Sequence, residues 1–231
     1  MVTLSVIIPV RDEAVNLPAT LAAIALGSNL EKSELEVIVV DGGSRDDSIA
    51  IAKQFGAVVI QTAPGRAQQM NAGATIAQGK FLLFLHGDTL LPANFAQYVE
   101  HTLNQPGVVA GAFDLNINGA QKGLRWVEWG VRWRSRFCQL PYGDQAIFLT
   151  AQTFHALGGF PDLPIMEDFV LVQQLKRLGK IAIVPAVVHT SNRRWQRLGV
   201  VKTTTINQIV ILGYYLGISP KRLAAWYRRL K

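Results

Sequence analysis

Residues 35–48 read LEVIVVDGGSRDDS. Val37, Ile38, Val39 and Val40 are consecutive β-branched residues, apolar on both faces of an extended chain, and the run stops at Asp41. A strand buried on both faces belongs in a sheet covered on both sides. Gly42 and Gly43 then allow a tight turn and a close backbone approach to a ligand. Asp46, Asp47 and Ser48 supply the acceptors of a helix start. Strand, turn and helix in this order form the repeating unit of a parallel sheet flanked by helices.

The same unit recurs on either side. Strands are predicted over 4–10 (LSVIIPV), 57–61 (AVVIQ) and 80–88 (KFLLFLHGD), with helical spacing over 15–26, 46–55, 66–78 and 92–104. The order is β-α-β-α-β-α-β-α. Beyond residue 105 the alternation weakens. Strands are predicted over 108–117, 144–150 and 180–190, the last with Pro185 marking an edge or a bulge. Helices are predicted over 125–137, 166–179, 203–216 and 220–230. The fold class is α/β, a mostly parallel Rossmann-like sheet with a basic helical tail. The division expected is a domain over 1–190 and a C-terminal extension over 191–231.

At 231 residues, with 49% hydrophobic and 17% charged, the chain can bury a sizeable core. A lone cysteine, Cys138, allows no internal disulfide and favours a reducing compartment. MVTLSVIIPV has no basic region before its apolar run, so it does not read as a signal peptide and a cytoplasmic location is expected. Charge is divided unevenly. Up to Asp168 there are eleven Lys and Arg against sixteen Asp and Glu; from Phe169 onward there are twelve Lys and Arg and no acid. Such a tail points to an anionic partner. Its apolar stretch, Ile206 to Ile218, is too short for a membrane span of about 20 residues. It can lie on an anionic bilayer, pack on the domain over 1–190 or form a homodimer contact. Trp126, Trp129 and Trp133 share one helical stripe, which is expected to face the core.

In sheets of this kind, functional groups gather at the carboxyl ends of the strands. Three predicted strands end in carboxylate-bearing loops: PVRDE after the first, VDGGSRDDS after the second and HGDT after the fourth. If the chain stays extended there, His86 and Asp88 point the same way, with Gly87 leaving room between them. An imidazole and a carboxylate converging on one point suit a divalent cation, Mn²⁺ or Mg²⁺, and the cation suits phosphate oxygens.

The motifs SVIIPVRDE (5–13), VIVVDGGSRDDS (37–48), GRAQQMNAGA (65–74), GKFLLFLHGDT (79–89) and GGFPDLPIMEDFVL (158–171) together resemble a family 2 glycosyltransferase of the GT-A fold. The wording GRAQQMN and HGDT resembles a short bacterial subgroup associated with radical SAM and selenium-related genes. The resemblance implies a nucleotide-diphosphate-sugar donor, typically a UDP-sugar, and an acceptor hydroxyl that is unidentified and can be lipid-linked. Pro9, Arg11 and Glu13 would form the nucleotide loop. Asp41 would meet the base, with Gly42, Gly43 and Asp46 around it. Arg66, Asn71 and Gly87 would touch nucleotide or sugar. Asp88 matches the last carboxylate of the metal-binding D-x-D element, here His86-Gly87-Asp88, and His189 falls where an extra metal or phosphate ligand is common. Asp168 matches the catalytic base of inverting members, with Glu167 beside it, at a helix start where the dipole favours negative charge. Tyr142, Asp144 and Gln145 lie on the expected acceptor side.

Other readings fit less well. A sugar-nucleotide pyrophosphorylase would need a glycine-rich basic loop after the first strand, where this chain has VRDEAVN. A dinucleotide oxidoreductase would need G-x-G-x-x-G after a strand, which is missing. A nucleic-acid-binding protein would explain the basic tail but would leave Asp41, Asp88 and Asp168 without a role, so no nucleic-acid partner is expected.

Overall fold

A computed structural model of the chain describes residues 2–31, 33–119, 121 and 123–230. Through its first half the chain alternates β1 (Leu4–Val10), α1 (Leu17–Gly27), β2 (Leu35–Asp41), α2 (Ser48–Gln54), β3 (Val58–Gln61), α3 (Arg66–Ile76), β4 (Phe81–Phe84), the two-residue β5 (Thr89–Leu90) and α4 (Phe95–Leu103). It continues with β6 (Val108–Asn118), α5 (Leu124–Cys138), β7 (Phe148–Thr150), α6 (Ala151–Ala156), α7 (Glu167–Leu178) and β8 (Lys180–Ser191). Three helices follow: α8 (Arg193–Leu198), α9 (Val200–Tyr215) and α10 (Pro220–Arg229).

The strands form one sheet in the order β3-β2-β1-β4-β7-β6-β8-β5. β3, β2, β1 and β4 are mutually parallel, whereas β7 runs antiparallel to both β4 and β6. Alternating residues of β1 feed two cores. Val6, Ile8 and Val10 pack with Leu17, Leu21 and Ile24 of α1 and with Phe95 and Val99 of α4. Ile7 faces the opposite layer, with Met70 of α3 and with Leu171, Val172 and Leu175 of α7. α3 lies so close to the sheet that a β-carbon at Gly73 would stand 2.5 Å from Ile7 Cγ2.

Most predicted elements match within a few residues, and four details differ. The predicted 80–88 strand stops at Phe84, and residues 87–88 form a turn in which the Thr89 amide donates to the His86 carbonyl (3.2 Å). The 92–104 helix starts at Phe95, leaving Pro92 outside its first turn. The 144–150 strand is only Phe148–Thr150, because Gly143–Gln145 form a 3₁₀ turn. The Trp stripe faces solvent rather than the core. Pro185 sits at a bulge: Val184 pairs with Phe113 and Val187 with Asp114, so the residue lacking an N–H falls where the ladder is interrupted.

Candidate functional site

The register of β1 on β2 sets Val10 beside Asp41, so the loops after both strands leave the same sheet edge. They are tied together there. Asp46 accepts from the Ala14 amide (2.9 Å), Asp12 accepts from the Arg45 amide (2.8 Å), and Ser48 Oγ accepts from the Glu13 amide (2.9 Å). This lacing aims Glu13 toward the turn after β4, where Gly87 packs against it. Thr20 Oγ1 pins that turn by donating to the Gly87 carbonyl (3.0 Å).

A cavity of about 330 Å³ opens beside this turn. Of the residues expected in a site, Arg66, His86, Asp88, Tyr142, Asp144, Glu167 and Asp168 line it. A second recess of about 370 Å³ adjoins it, bounded by Arg11, Gly65 and Gln69, and the two share Arg66, Ile165, Glu167 and Tyr227. Arg66 therefore stands at their junction, its guanidinium 3.4 Å from the buried Glu167 carboxylate. Burial pushes the Glu167 carboxyl up, and the charge of Arg66 works against that shift.

Asp168 opens α7 and is held by two amides. Gly143 N–H donates to Oδ2 (2.7 Å) and Phe169 N–H to Oδ1 (2.7 Å). Gly143 has to be small, because a β-carbon there would lie 3.1 Å from Asp168 Oδ2 and 3.2 Å from His86 Nε2. His86 is driven beneath this junction. Burial, helped by the charge of Arg66, lowers its pKa to about 3, and its Nε2 has no hydrogen-bond partner among the described residues. It is thus a neutral imidazole at the floor of the cavity. Asp88 instead pairs with Arg193. The two line the same cavity, but residues 87–88 form a turn instead of running extended, which corrects the expectation that strand alternation sets their directions.

At the mouth, Arg193 Nη2 donates to Glu13 Oε1 (2.8 Å) and Oε2 (2.9 Å) and to Asp88 Oδ2 (2.9 Å). Two carboxylates from different loops therefore already converge on one cation. Their hard oxygen donors fit Mg²⁺ or Mn²⁺, ions commonly held by one or two carboxylates with phosphate oxygens and water completing the shell. Among the described residues no third His, Cys, Asp or Glu joins them.

Several expected site residues serve the scaffold instead. Asp41 is fully buried, and its carboxylate accepts from the amides of Gly43 (3.0 Å) and Ser44 (3.1 Å). Burial acts to raise its pKa, but these bonds outweigh it and hold the carboxyl below its ordinary value. Asp41 therefore shapes the Gly42-Gly43 turn and lines neither cavity. Asp46 is spent on the loop lacing and Asn71 on the Phe160 backbone (2.8 and 2.9 Å). Pro9 lies within β1. Gln145 is buried, donating to the Phe113 carbonyl (2.9 Å) and accepting from Ser135 (2.8 Å), so it cannot meet an acceptor. His189 is exposed on β8 and lines neither cavity, whereas Thr190 and Ser191 at the end of the same strand line the first.

Seven residues of the wall come from the chain after β8 and were not anticipated, among them Arg193, Arg194, Asn207 and Tyr227. Their only signal in the sequence is the acid-free basic composition after Asp168. The Arg194 guanidinium lies over the Tyr227 ring, 4.6 Å from its centroid, and Arg134 covers Tyr142 at 3.5 Å.

Asp144 carries a testable consequence. Burial pushes its carboxyl up to about 6; Arg134 opposes the shift and Asp168 adds to it. Its Oδ1 is buried without a partner among the described residues. The folded state thus holds this proton more tightly than the unfolded chain, whose carboxyl titrates near 3.8. The resulting stability is complete below that value and is lost as pH rises through about 6. Asp144→Asn is expected to remove this dependence, leaving the variant about 1–2 kcal/mol more stable than the parent at about pH 8 and near parity at about pH 4. Urea unfolding at both pH values reads it, and an equal difference at the two would refute it.

Glycosyl transferase family 2 matches residues 5–152 of the chain. Haloferax volcanii glycosyltransferase AglE is 37% identical over 91 residues, which are 36% of this chain and 30% of that protein. The chain thus spans about a third of the length of this curated relative. Among solved structures, S. aureus TarS bound to UDP superposes with a TM-score of 0.67 at 17% identity, covering 82% of this chain and 60% of that one. Glucosyl-3-phosphoglycerate synthase from Mycobacterium tuberculosis, in complex with Mn²⁺, UDP and glucosyl-3-phosphoglycerate, gives 0.64 at 21% identity, covering 94% and 80%. At these identities the likeness establishes the fold, the GT-A arrangement.

Proposed function

Because the chain belongs to glycosyl transferase family 2, we propose that it transfers a sugar from a nucleoside-diphosphate sugar to an acceptor hydroxyl with inversion at the anomeric carbon. The observation that carries this reading is the convergence of Asp88, Arg66 and Asp168 on one cavity that opens onto a second recess through Arg66. Two joined chambers with a cation between them suit a donor whose nucleotide lies in one and whose sugar lies in the other. The UDP bound by the S. aureus and M. tuberculosis neighbours favours uridine as the base.

The nucleotide occupies the recess of Arg11, Gly65 and Gln69, with the diphosphate at the junction beside Arg66. Glu167, buried against Arg66, fixes where that guanidinium points. Glu13 and Asp88 would hold a divalent cation, which would neutralise the charge growing on the departing diphosphate. Arg193 already presents positive charge to both carboxylates, and it adds to the field at the leaving group when it swings toward the phosphates.

The acceptor enters beside Tyr142 and Asp144. As the bond between the anomeric carbon and the phosphate oxygen breaks, the acceptor oxygen attacks the opposite face of the sugar. Its proton passes to the Asp168 carboxylate, which the Gly143 and Phe169 amides hold in one orientation. The neutral His86 below keeps charge out of the cavity floor. Preorganised donors of this kind lower the barrier because they need no rearrangement as charge moves.

Incubation with labelled UDP-sugars, with and without Mn²⁺, tests this. The parent should release UDP, and Asp88→Ala should cut that release by about 10²-fold or more. Parent-like UDP release from Asp88→Ala would exclude this arrangement.

A further inference from the structure

α5 buries Leu124, Glu128 and Ser135 and packs Val127 and Val131 on the core, yet its outer face is not polar. Trp126, Trp129, Trp133 and Phe137 are 76%, 61%, 52% and 75% exposed. At 100° per residue these four fall within an arc of roughly 80°. They are already arranged: Trp126 meets Trp129 edge to face at 6.5 Å, and Trp133 meets Phe137 at 5.7 Å. Arg125, Arg132 and Arg136 occupy the neighbouring arc, each about half-exposed even while paired with Glu128 or Asp114 beneath.

α9 also carries exposed apolar residues, Val201, Leu212 and Tyr215, with Leu216 just beyond its end. The two helices start side by side. Gly123, just before α5, faces Val200 at the start of α9, and Asn192 donates to Gln121 (3.2 Å). Both reach α7 at their far ends, through Lys176 Nζ to the Cys138 carbonyl (2.6 Å) and Gln173 Nε2 to Tyr215 Oη (3.2 Å).

We propose that this face, the aromatic stripe of α5 with its arginine row and the adjoining edge of α9, seats the protein on an anionic bilayer. Indole rings prefer the boundary between water and hydrocarbon, where one end stays wet. Arginine beside them meets lipid phosphates, and the Lys and Arg after Asp168, in a segment that carries no acid of its own, add long-range attraction. No helix among the described residues is long and apolar enough to cross a membrane, so the contact is interfacial. Residues 207, 210 and 211 of α9 line the catalytic cavity from its other side, so docking would hold the cavity close to the lipid surface.

Cosedimentation with phosphatidylglycerol–phosphatidylcholine vesicles, at low and high salt, tests the surface without any donor sugar, so its outcome is independent of the transfer reaction. The parent should bind with a blue shift in Trp emission. Trp129→Gln with Trp133→Gln should lose about tenfold in vesicle affinity while keeping the parent's thermal midpoint, since both side chains are exposed. Lys221→Gln with Arg222→Gln serves as a second variant. The proposal falls if the parent does not bind, if only the α10 variant loses binding, or if the Trp variant merely converts a dimer to a monomer.

Discussion

Asp168→Asn is expected to lower kcat by about 10²–10⁴-fold while donor affinity stays within about threefold of the parent. The amide is isosteric, and its oxygen can still accept from Gly143, which donates to Asp168 at 2.7 Å in the parent. What the variant lacks is a carboxylate able to take the acceptor proton. Because the lost interaction belongs to the transition state, kcat should fall and the thermal shift given by UDP should persist. Steady-state kinetics with donor binding measured in parallel reads both quantities. If kcat is unchanged, the proton must go elsewhere. Asp144 would then be the first alternative, since its carboxyl, pushed up to about 6, lines the same cavity.

Phe148→Ala should cost about 3–5 kcal/mol of stability, measured by urea unfolding at neutral pH. Phe148 is fully buried at the centre of the sheet, on the short strand that joins the parallel half to β6. Its ring lies 5.5 Å from Phe113 and fills the space over Gly111 so closely that a β-carbon there would come within 2.3 Å of it. Flanked by an aromatic neighbour and by backbone, the site has little that can move into the vacated volume, so the cavity term adds to the lost burial. A loss below about 1 kcal/mol would mean that the sheet repacks around the alanine. The 143–145 turn immediately precedes this strand, so loosening it should also disturb Gly143 and with it the aim of Asp168.

Each element of the parallel half is written locally. The β-branched run 37–40, the Gly42-Gly43 turn and the acceptors at 46–48 all favour the same β-turn-α unit, and neighbouring units repeat it, so 4–10 and 35–41 are bounded to the residue. Asp88 and Asp168 share a cavity, as expected of loops leaving one sheet edge, and the third carboxylate fails to join them for a local reason. Asp41 has the Gly43 and Ser44 amides within reach of its own side chain, and a buried carboxylate takes the nearest donors. Likewise Gln145 and Asn71 have the residue types of a binding site but are consumed by backbone groups that would otherwise be buried without partners.

Sequence by itself determined the layered α/β fold, the edge at which the chemistry gathers, and the identity of Asp88, Arg66 and Asp168, because each follows from short-range periodicity or from motif wording. Tertiary structure alone decided that the chain after β8 folds back, so that Arg193 reaches Glu13 and Asp88 from 180 and 105 residues away. It also decided that His86 is half-buried with its Nε2 enclosed while His189 is exposed, and that the tryptophan stripe of α5 faces solvent. Helical spacing reveals that three tryptophans share a face. Which side that face turns to depends on where the rest of the chain supplies cover, and here Val127 and Val131 occupy the core-facing arc.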